Sequence, residues 1–195
     1  FQQYALFPWL TALDNVAFGL EISGLGKAER RAKAAAYLDL VGLSAFARHY
    51  PHEMSGGMKQ RVAIARSLAY EPEVLLMDEP FAALDAQTRE TLQEELVDIW
   101  HRTGKTIVFI THGIDEAVVL GQRVAVMTSR PGRIKQIVDI PDTLRADTPD
   151  VRSLPLFGEL RHQIWSSLHD EVAAARQQRR ARIATLPARK ESFHV

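Results

Sequence analysis

The sequence predicts an α/β protein built on a parallel sheet, with a helical subdomain placed ahead of most of its strands. Two observations carry this. The short apolar runs at 74–77 and 106–110 alternate with helical patterns, and a strand written as one continuous apolar run is what a parallel sheet buries on both faces; alternation of this kind implies right-handed crossovers. Residues 11–71, by contrast, show helical patterns only.

The elements follow in order. Thr11 is placed to cap a first helix, with Asp14 completing a capping-box-like pair; Leu13, Val16, Ala17 and Leu20 form its buried stripe and Gly24 ends it. A second helix spans about 28–41 and stops at Gly42, and a third opens at Ser55 and runs to Pro72. The apolar run 74–77 ends in Asp78 and Glu79. Leu92, Leu96 and Ile99 then recur at helical spacing behind a candidate cap, Asp85, and Gly104 closes that helix. The strand 106–110 ends in Thr111 and His112. A helix at 115–120, a strand at 123–127, a turn at Pro131 and Gly132, and a strand at 134–140 complete the sheet pattern. Pro141, Pro149 and Pro155 mark an irregular link to a helix carrying Leu160, Ile164, Leu168 and Val172.

Composition narrows the class. With 195 residues and 46% hydrophobic side chains the chain can bury a full core, and 24 basic against 24 acidic residues predict no partner from net charge. No run reaches the roughly 18 to 20 apolar residues of a membrane span, so membrane association is expected to be peripheral. No secretory leader is visible, and the absence of cysteine excludes disulfides and thiolate metal sites. The start at Phe1, which reads as the end of a buried strand, is expected to mark a fragment. Arg176, Arg179, Arg180, Arg182, Arg189 and Lys190 make the end of the chain locally basic.

Open parallel sheets bind ligands beyond the carboxyl ends of their strands. Three polar clusters fall at such ends: Gln2 and Gln3, Asp78 and Glu79, and Thr111 and His112. Phosphoryl transfer from ATP to water requires a magnesium ion, a group that orients or deprotonates the water, and donors to the γ-phosphate. Asp78 suits the metal through a water, Glu79 the attacking water, Gln2 both metal and water through its amide oxygen, and His112 the γ-phosphate. An acidic pair alone would more often cap a helix, and a lone histidine would more often be structural; their joint occurrence at strand ends favours chemistry. Separately, Ser55 followed by Gly56 and Gly57 opens a helix whose amides favour an anion, the glycines leaving room for an outside group to approach. His49, His52 and Glu53 make a poor zinc set, lacking a fourth ligand.

These motifs together resemble the nucleotide-binding domains of ABC transporters. The likeness identifies Gln2 with the Q-loop, Ser55, Gly56 and Gly57 with the signature motif, residues 74–79 with Walker B and its glutamate, Ala83, Leu84 and Asp85 with the D-loop, and His112 with the switch histidine. It implies a P-loop NTPase-like parallel sheet with an inserted helical subdomain, lacking its Walker A portion. The layout is then 1–10 for the Q-loop and start of the core, 11–71 for the helical subdomain, 72–140 for the α/β core, 141–182 for a link and helix, and 183–195 for a basic tail expected to be disordered. It further implies ATP and Mg2+ as cofactors and a dimer, expected to be of identical cassettes, that sandwiches two ATP molecules, with Asp85 on the nucleotide side.

The sequence departs from the family pattern at Met58, where the signature usually has glutamine, and at Gly113, where aspartate commonly follows the histidine; the latter is expected to loosen the placement of His112. No G-x-x-x-x-G-K-[ST] pattern occurs in the 195 residues, so the chain as given is expected to bind ATP poorly. Met58 in the signature, the turn 128–134 and the helix with Leu160, Arg161 and 168–171 together resemble nitrate, sulfonate and taurine importer ATPases. That likeness implies a permease contacting Tyr4, Leu6, Phe7, Pro8 and Trp9, a periplasmic solute-binding protein acting indirectly, a place on the cytoplasmic face of the inner membrane, and no nucleic-acid partner. A local staple of the 4–9 segment onto the first helix is the competing account of those apolar residues. A soluble ABC ATPase, or a non-catalytic cassette that only binds partners, are the alternative functions.

Overall fold

The structure, a computed structural model, describes residues 4–144 and 150–184, with side chains described as far as residue 169. Gln2 and most of the 183–195 tail therefore lie outside the described residues. The chain divides into two compact units, Phe1–Glu116 and Ala117–Val195, and the division falls within the 72–140 segment.

In the first unit, helix α1 (Ala12–Ile22) begins at Thr11, whose Oγ1 accepts the Asp14 N–H at 3.2 Å and donates to the Asp14 carboxylate at 2.7 Å. Its buried side is Ala12, Asn15, Val16, Ala17, Gly19 and Leu20, while Leu13 is only half-buried. Helix α2 (Lys27–Leu40) ends where Gly42 takes a left-handed φ of +68°, letting the Leu43 N–H return to the Leu38 carbonyl at 2.8 Å. Helix α3 (Gly56–Ala69) is capped by Ser55. The three helices pack on one another around Val16, Leu20, Ala34, Leu38, Val62, Ala65 and Leu68. Short 3-10 turns at Ser44–Phe46 and Pro51–Glu53 join α2 to α3, a pattern too brief for periodicity to detect.

Strands β1 (Val74–Asp78) and β2 (Thr106–Ile110) pair in parallel from Val74 opposite Thr106 to Asp78 opposite Ile110. Helix α4 (Ala86–Thr103) connects them, capped by Asp85 and closed by Gly104 at φ +60°, with Leu92, Leu96 and Ile99 buried. One expectation fails here. Strand β1 buries Leu75 and Met77, but Val74 is 55% and Leu76 66% exposed. Successive side chains point to opposite faces of a sheet, and within this unit only one face of the β1–β2 pair is packed.

The second unit holds most of α5 (Ile114–Leu120), followed by β3 (Arg123–Met127), β4 (Ile134–Asp139) and α6 (Pro155–Ala184). Strand β3 does not extend the parallel pair as alternation suggested; it pairs antiparallel with β4, from Arg123 opposite Asp139 to Met127 opposite Ile134. A connection as short as 128–133 can only reverse the chain, because parallel pairing needs a crossover of about a dozen residues or more. The reversal is tied at Thr128, which donates its N–H to the Arg133 carbonyl at 2.8 Å and its hydroxyl to the Pro131 carbonyl at 2.8 Å. Helix α6 packs on β3 and β4, burying Val126, Val138, Phe157, Leu160 and Ile164, and Lys135 donates to the Ser167 carbonyl at 2.9 Å. Among the described residues no helix is long and apolar enough to cross a membrane.

Candidate active site

Strands β1 and β2 end side by side, so the residues that follow them leave the sheet together. Asp78, the last residue of β1, is exposed. Glu79 adopts φ +46°, a left-handed conformation uncommon outside glycine, and donates its N–H to the Ile110 carbonyl at 2.9 Å. That contact continues the β1–β2 ladder by one bond while the backbone turns away. Backbone strain of this kind collects at functional sites. His112, two residues past β2, places Nδ1 3.3 Å from the Glu79 carboxylate. The structure thus brings Glu79 and His112 together, with Asp78 the residue before Glu79.

Beyond Glu79 the chain makes a tight turn, in which Ala82 and Leu84 donate N–H groups to the Glu79 and Phe81 carbonyls, each at 3.2 Å. Arg89 of α4 holds the turn by donating to the Leu84 carbonyl at 2.9 Å and the Phe81 carbonyl at 3.3 Å. Asp85 accepts the Thr88 N–H at 2.9 Å. The Thr88 N–H and hydroxyl hold the Asp85 carboxyl below the usual carboxylate range, because both hydrogen bonds favour the ionised form.

Ser55 is exposed and its Oγ accepts the Met58 N–H at 3.3 Å, so the Met58 amide is already satisfied within the chain. The two glycines also meet a constraint from within the chain. A Cβ at Gly56 would lie 2.9 Å from the Tyr4 hydroxyl and 3.3 Å from Leu84, and one at Gly57 would lie 2.8 Å from the Thr88 methyl. Their missing side chains make room for the chain's own Tyr4, Leu84 and Thr88, a packing role that the sequence argument did not contain. Gly57→Ala is accordingly expected to cost about 1–3 kcal/mol through overpacking, and Gly57→Ala combined with Thr88→Ser to regain most of it, since serine drops the methyl and keeps the hydroxyl. Urea denaturation of the single and double variants checks this; a neutral Gly57→Ala would remove the packing account.

The segment 4–11 is held by two residues outside it that periodicity did not single out. Asn15 is fully buried; it accepts the Phe7 N–H at 2.8 Å and donates to the carbonyls of Phe7, Leu10 and Thr11 at 3.1, 3.0 and 3.0 Å. Arg66 of α3 donates to the Ala5 carbonyl at 2.8 Å and lies 5.9 Å from the centre of the Phe7 ring. Phe7 also meets Phe18 of α1 at 4.5 Å, the local packing weighed against an interface, yet Trp9 remains 70% exposed. An asparagine on a helix is ordinarily read as solvent-facing; its position beside Val16 and Ala17 on the buried stripe was the available signal.

Among the described residues no group of three histidine, aspartate or glutamate side chains could hold a metal alone. Magnesium does not ask for one: it keeps several waters and takes one or two protein carboxylates with substrate phosphates. The exposed carboxylate of Asp78, beside a strained strand end, fits that donor set, and Gln2, the other expected ligand, lies outside the described residues.

The ABC transporter family model matches residues 1–82. An uncharacterized ABC transporter ATP-binding protein of Methanocaldococcus jannaschii is 55% identical over 88% of this chain and 63% of its own length. The taurine import ATP-binding protein TauB of Pseudomonas aeruginosa is 49% identical over 89% of this chain and 68% of its own. The chain belongs to the ABC transporter family. Another ABC relative, the nitrate import ATP-binding protein NrtD of Synechocystis, is 55% identical over 82% of this chain and 60% of its own length. The chain thus spans 60 to 68% of these three ABC relatives. Among solved structures, the ABC cassette MJ0796, described as a dimer in a post-hydrolysis state bound to ADP and Pi, superposes with a TM-score of 0.59 at 38% identity, over 72% of this chain and 61% of that one. The α/β architecture is that of an ABC cassette.

Proposed function

We propose that the protein carrying this chain is the ATP-hydrolysing, energy-coupling subunit of an ABC importer for a small anionic solute of the nitrate, sulfonate or taurine kind. The observation that carries this is the meeting of Glu79 and His112 at adjacent strand ends, directly after Asp78. The names of the taurine and nitrate relatives support the solute class.

In this reading Glu79 takes a proton from the attacking water, and its left-handed backbone sets the carboxylate beyond the strand end, beside His112. His112, 76% exposed and therefore open to a ligand, donates to the γ-phosphate. Asp78 and Gln2 hold Mg2+, which when bound would neutralise charge on the ATP phosphates. The exposed Ser55 hydroxyl and the first amides of α3 hold a phosphate of the nucleotide on a second cassette, where the helix dipole favours negative charge. Asp85, its charge secured by Thr88, stands at the same dimer face. The exposed Trp9 and its neighbours 4–8 receive the permease, whose solute is delivered by a periplasmic binding protein, so the cassette works on the cytoplasmic face.

The test is reconstitution of the full-length cassette, this chain together with a phosphate-binding loop, with its permease in liposomes. ATP hydrolysis that rises when a loaded binding protein and taurine, sulfonate or nitrate are supplied is the expected outcome. A reconstituted complex that neither hydrolyses ATP nor accumulates any of the three solutes would overturn the assignment.

A further inference from the structure

His112 is too exposed to be positioned by packing, so its direction depends on the backbone that carries it. That backbone is bracketed. The Thr111 hydroxyl donates to a carboxylate oxygen of Glu116 and accepts the Gly113 N–H at 2.9 Å. One hydroxyl thus uses donor and acceptor capacity together and ties the residues on either side of His112 into a local turn. Glu116, in the first turn of α5, would leave that hydroxyl free to rotate if it were itself mobile. It is not: its other oxygen accepts from Gln93 Nε2 at 3.0 Å, and Gln93 is buried on α4 next to Leu92. A buried amide on the core face of a helix destabilises the fold unless bonded, and part of the bonding of this one is spent on Glu116.

We propose that Glu116 is a positioning residue for His112, acting through Thr111 and anchored to α4 by Gln93. This inference rests on the role given to His112 above. Gly113 gains a fixed position from the same hydroxyl, so the loosening expected from the lack of aspartate at that position does not follow: the restraint comes from the residue before the histidine and from a carboxylate four residues after it.

The experiment compares Thr111→Val, Thr111→Ser, Glu116→Ala and Gln93→Leu in the full-length cassette by steady-state kinetics and by spectra of ring-labelled histidine, with His112→Gln used to assign the His112 signal among the seven histidines. Thr111→Val and Glu116→Ala should lower kcat about tenfold or more with KM for ATP changed less than about twofold, the pattern of a group felt in the transition state. Both should shift the His112 ring signal, Gln93→Leu should shift it less, and Thr111→Ser should restore both rate and signal. An unmoved His112 signal in folded Thr111→Val and Glu116→Ala, or a Thr111→Ser as impaired as Thr111→Val, would overturn the proposal. Should the parent protein fail to hydrolyse ATP, the catalytic reading falls, and the ring signal alone still decides the bracket.

Discussion

Glu79→Gln in the full-length cassette should reduce ATP turnover by about 100-fold or more while ATP still binds and still draws two cassettes together. Glutamine has the shape of glutamate, so the turn from Glu79 to Leu84 and the N–H bond to the Ile110 carbonyl are backbone features that it preserves. What disappears is the carboxylate, which lies beyond β1 beside His112 and is able to accept a proton from water. A role in nucleotide binding would predict the opposite split, a raised KM with kcat little changed. Hydrolysis rates under saturating ATP, with gel filtration in ATP to follow pairing, separate the two. Near-normal turnover in Glu79→Gln would sink the role assigned to this residue.

Asn15→Ala should be the most destabilising change of a polar residue in the first unit, at about 2–4 kcal/mol. Truncation leaves the Phe7 N–H and the carbonyls of Phe7 and Leu10 without this partner, in a place where Asn15 itself has no exposed surface. A cavity adds to that loss. Asn15→Leu would refill volume but could not satisfy those groups, so it should recover little. Denaturant unfolding measures the total, and hydrogen exchange at Phe7 localises it: the Phe7 amide should lose protection more than amides in α2. A loss under about 1 kcal/mol, or exchange that stays slow at Phe7, would mean that residues 7–11 are held by something other than this side chain.

How much of this could be read from the sequence depends on whether the cause is local. Helix α4 was legible at both ends because Asp85 and Gly104 act on their own turn, through a side-chain cap and a left-handed backbone. Strand β2 was legible because five apolar or β-branched residues stand between turn signals. The failures arise from distant partners. Whether Leu76 is covered depends on what packs above it, and its side chain is the same in either case. The packing role of Gly56 and Gly57 was hidden because nothing nearby in sequence discloses Tyr4 or Thr88. Gln93 and Asn15 were hidden for a related reason, since polar residues inside apolar stripes signify only once their acceptors are known. The left-handed Glu79 had no local signal at all; glycine would have announced it, and glutamate did not.

Tyr4 and Ala5 meet the two ends of one helix. The Tyr4 hydroxyl rests against the first residue of α3, and Arg66, three turns on, grips the Ala5 carbonyl. A strip of chain fastened at both ends of a rod must travel with the rod. Fourteen residues make α3 about 20 Å long, so a tilt of ~10° about one end would swing the other by about 3–4 Å. The strip would be carried along, and with it the indole of Trp9 that stands clear of the surface. Mechanically, α3 is a lever with its handle at Ser55 and its load among the aromatic residues that open the described chain.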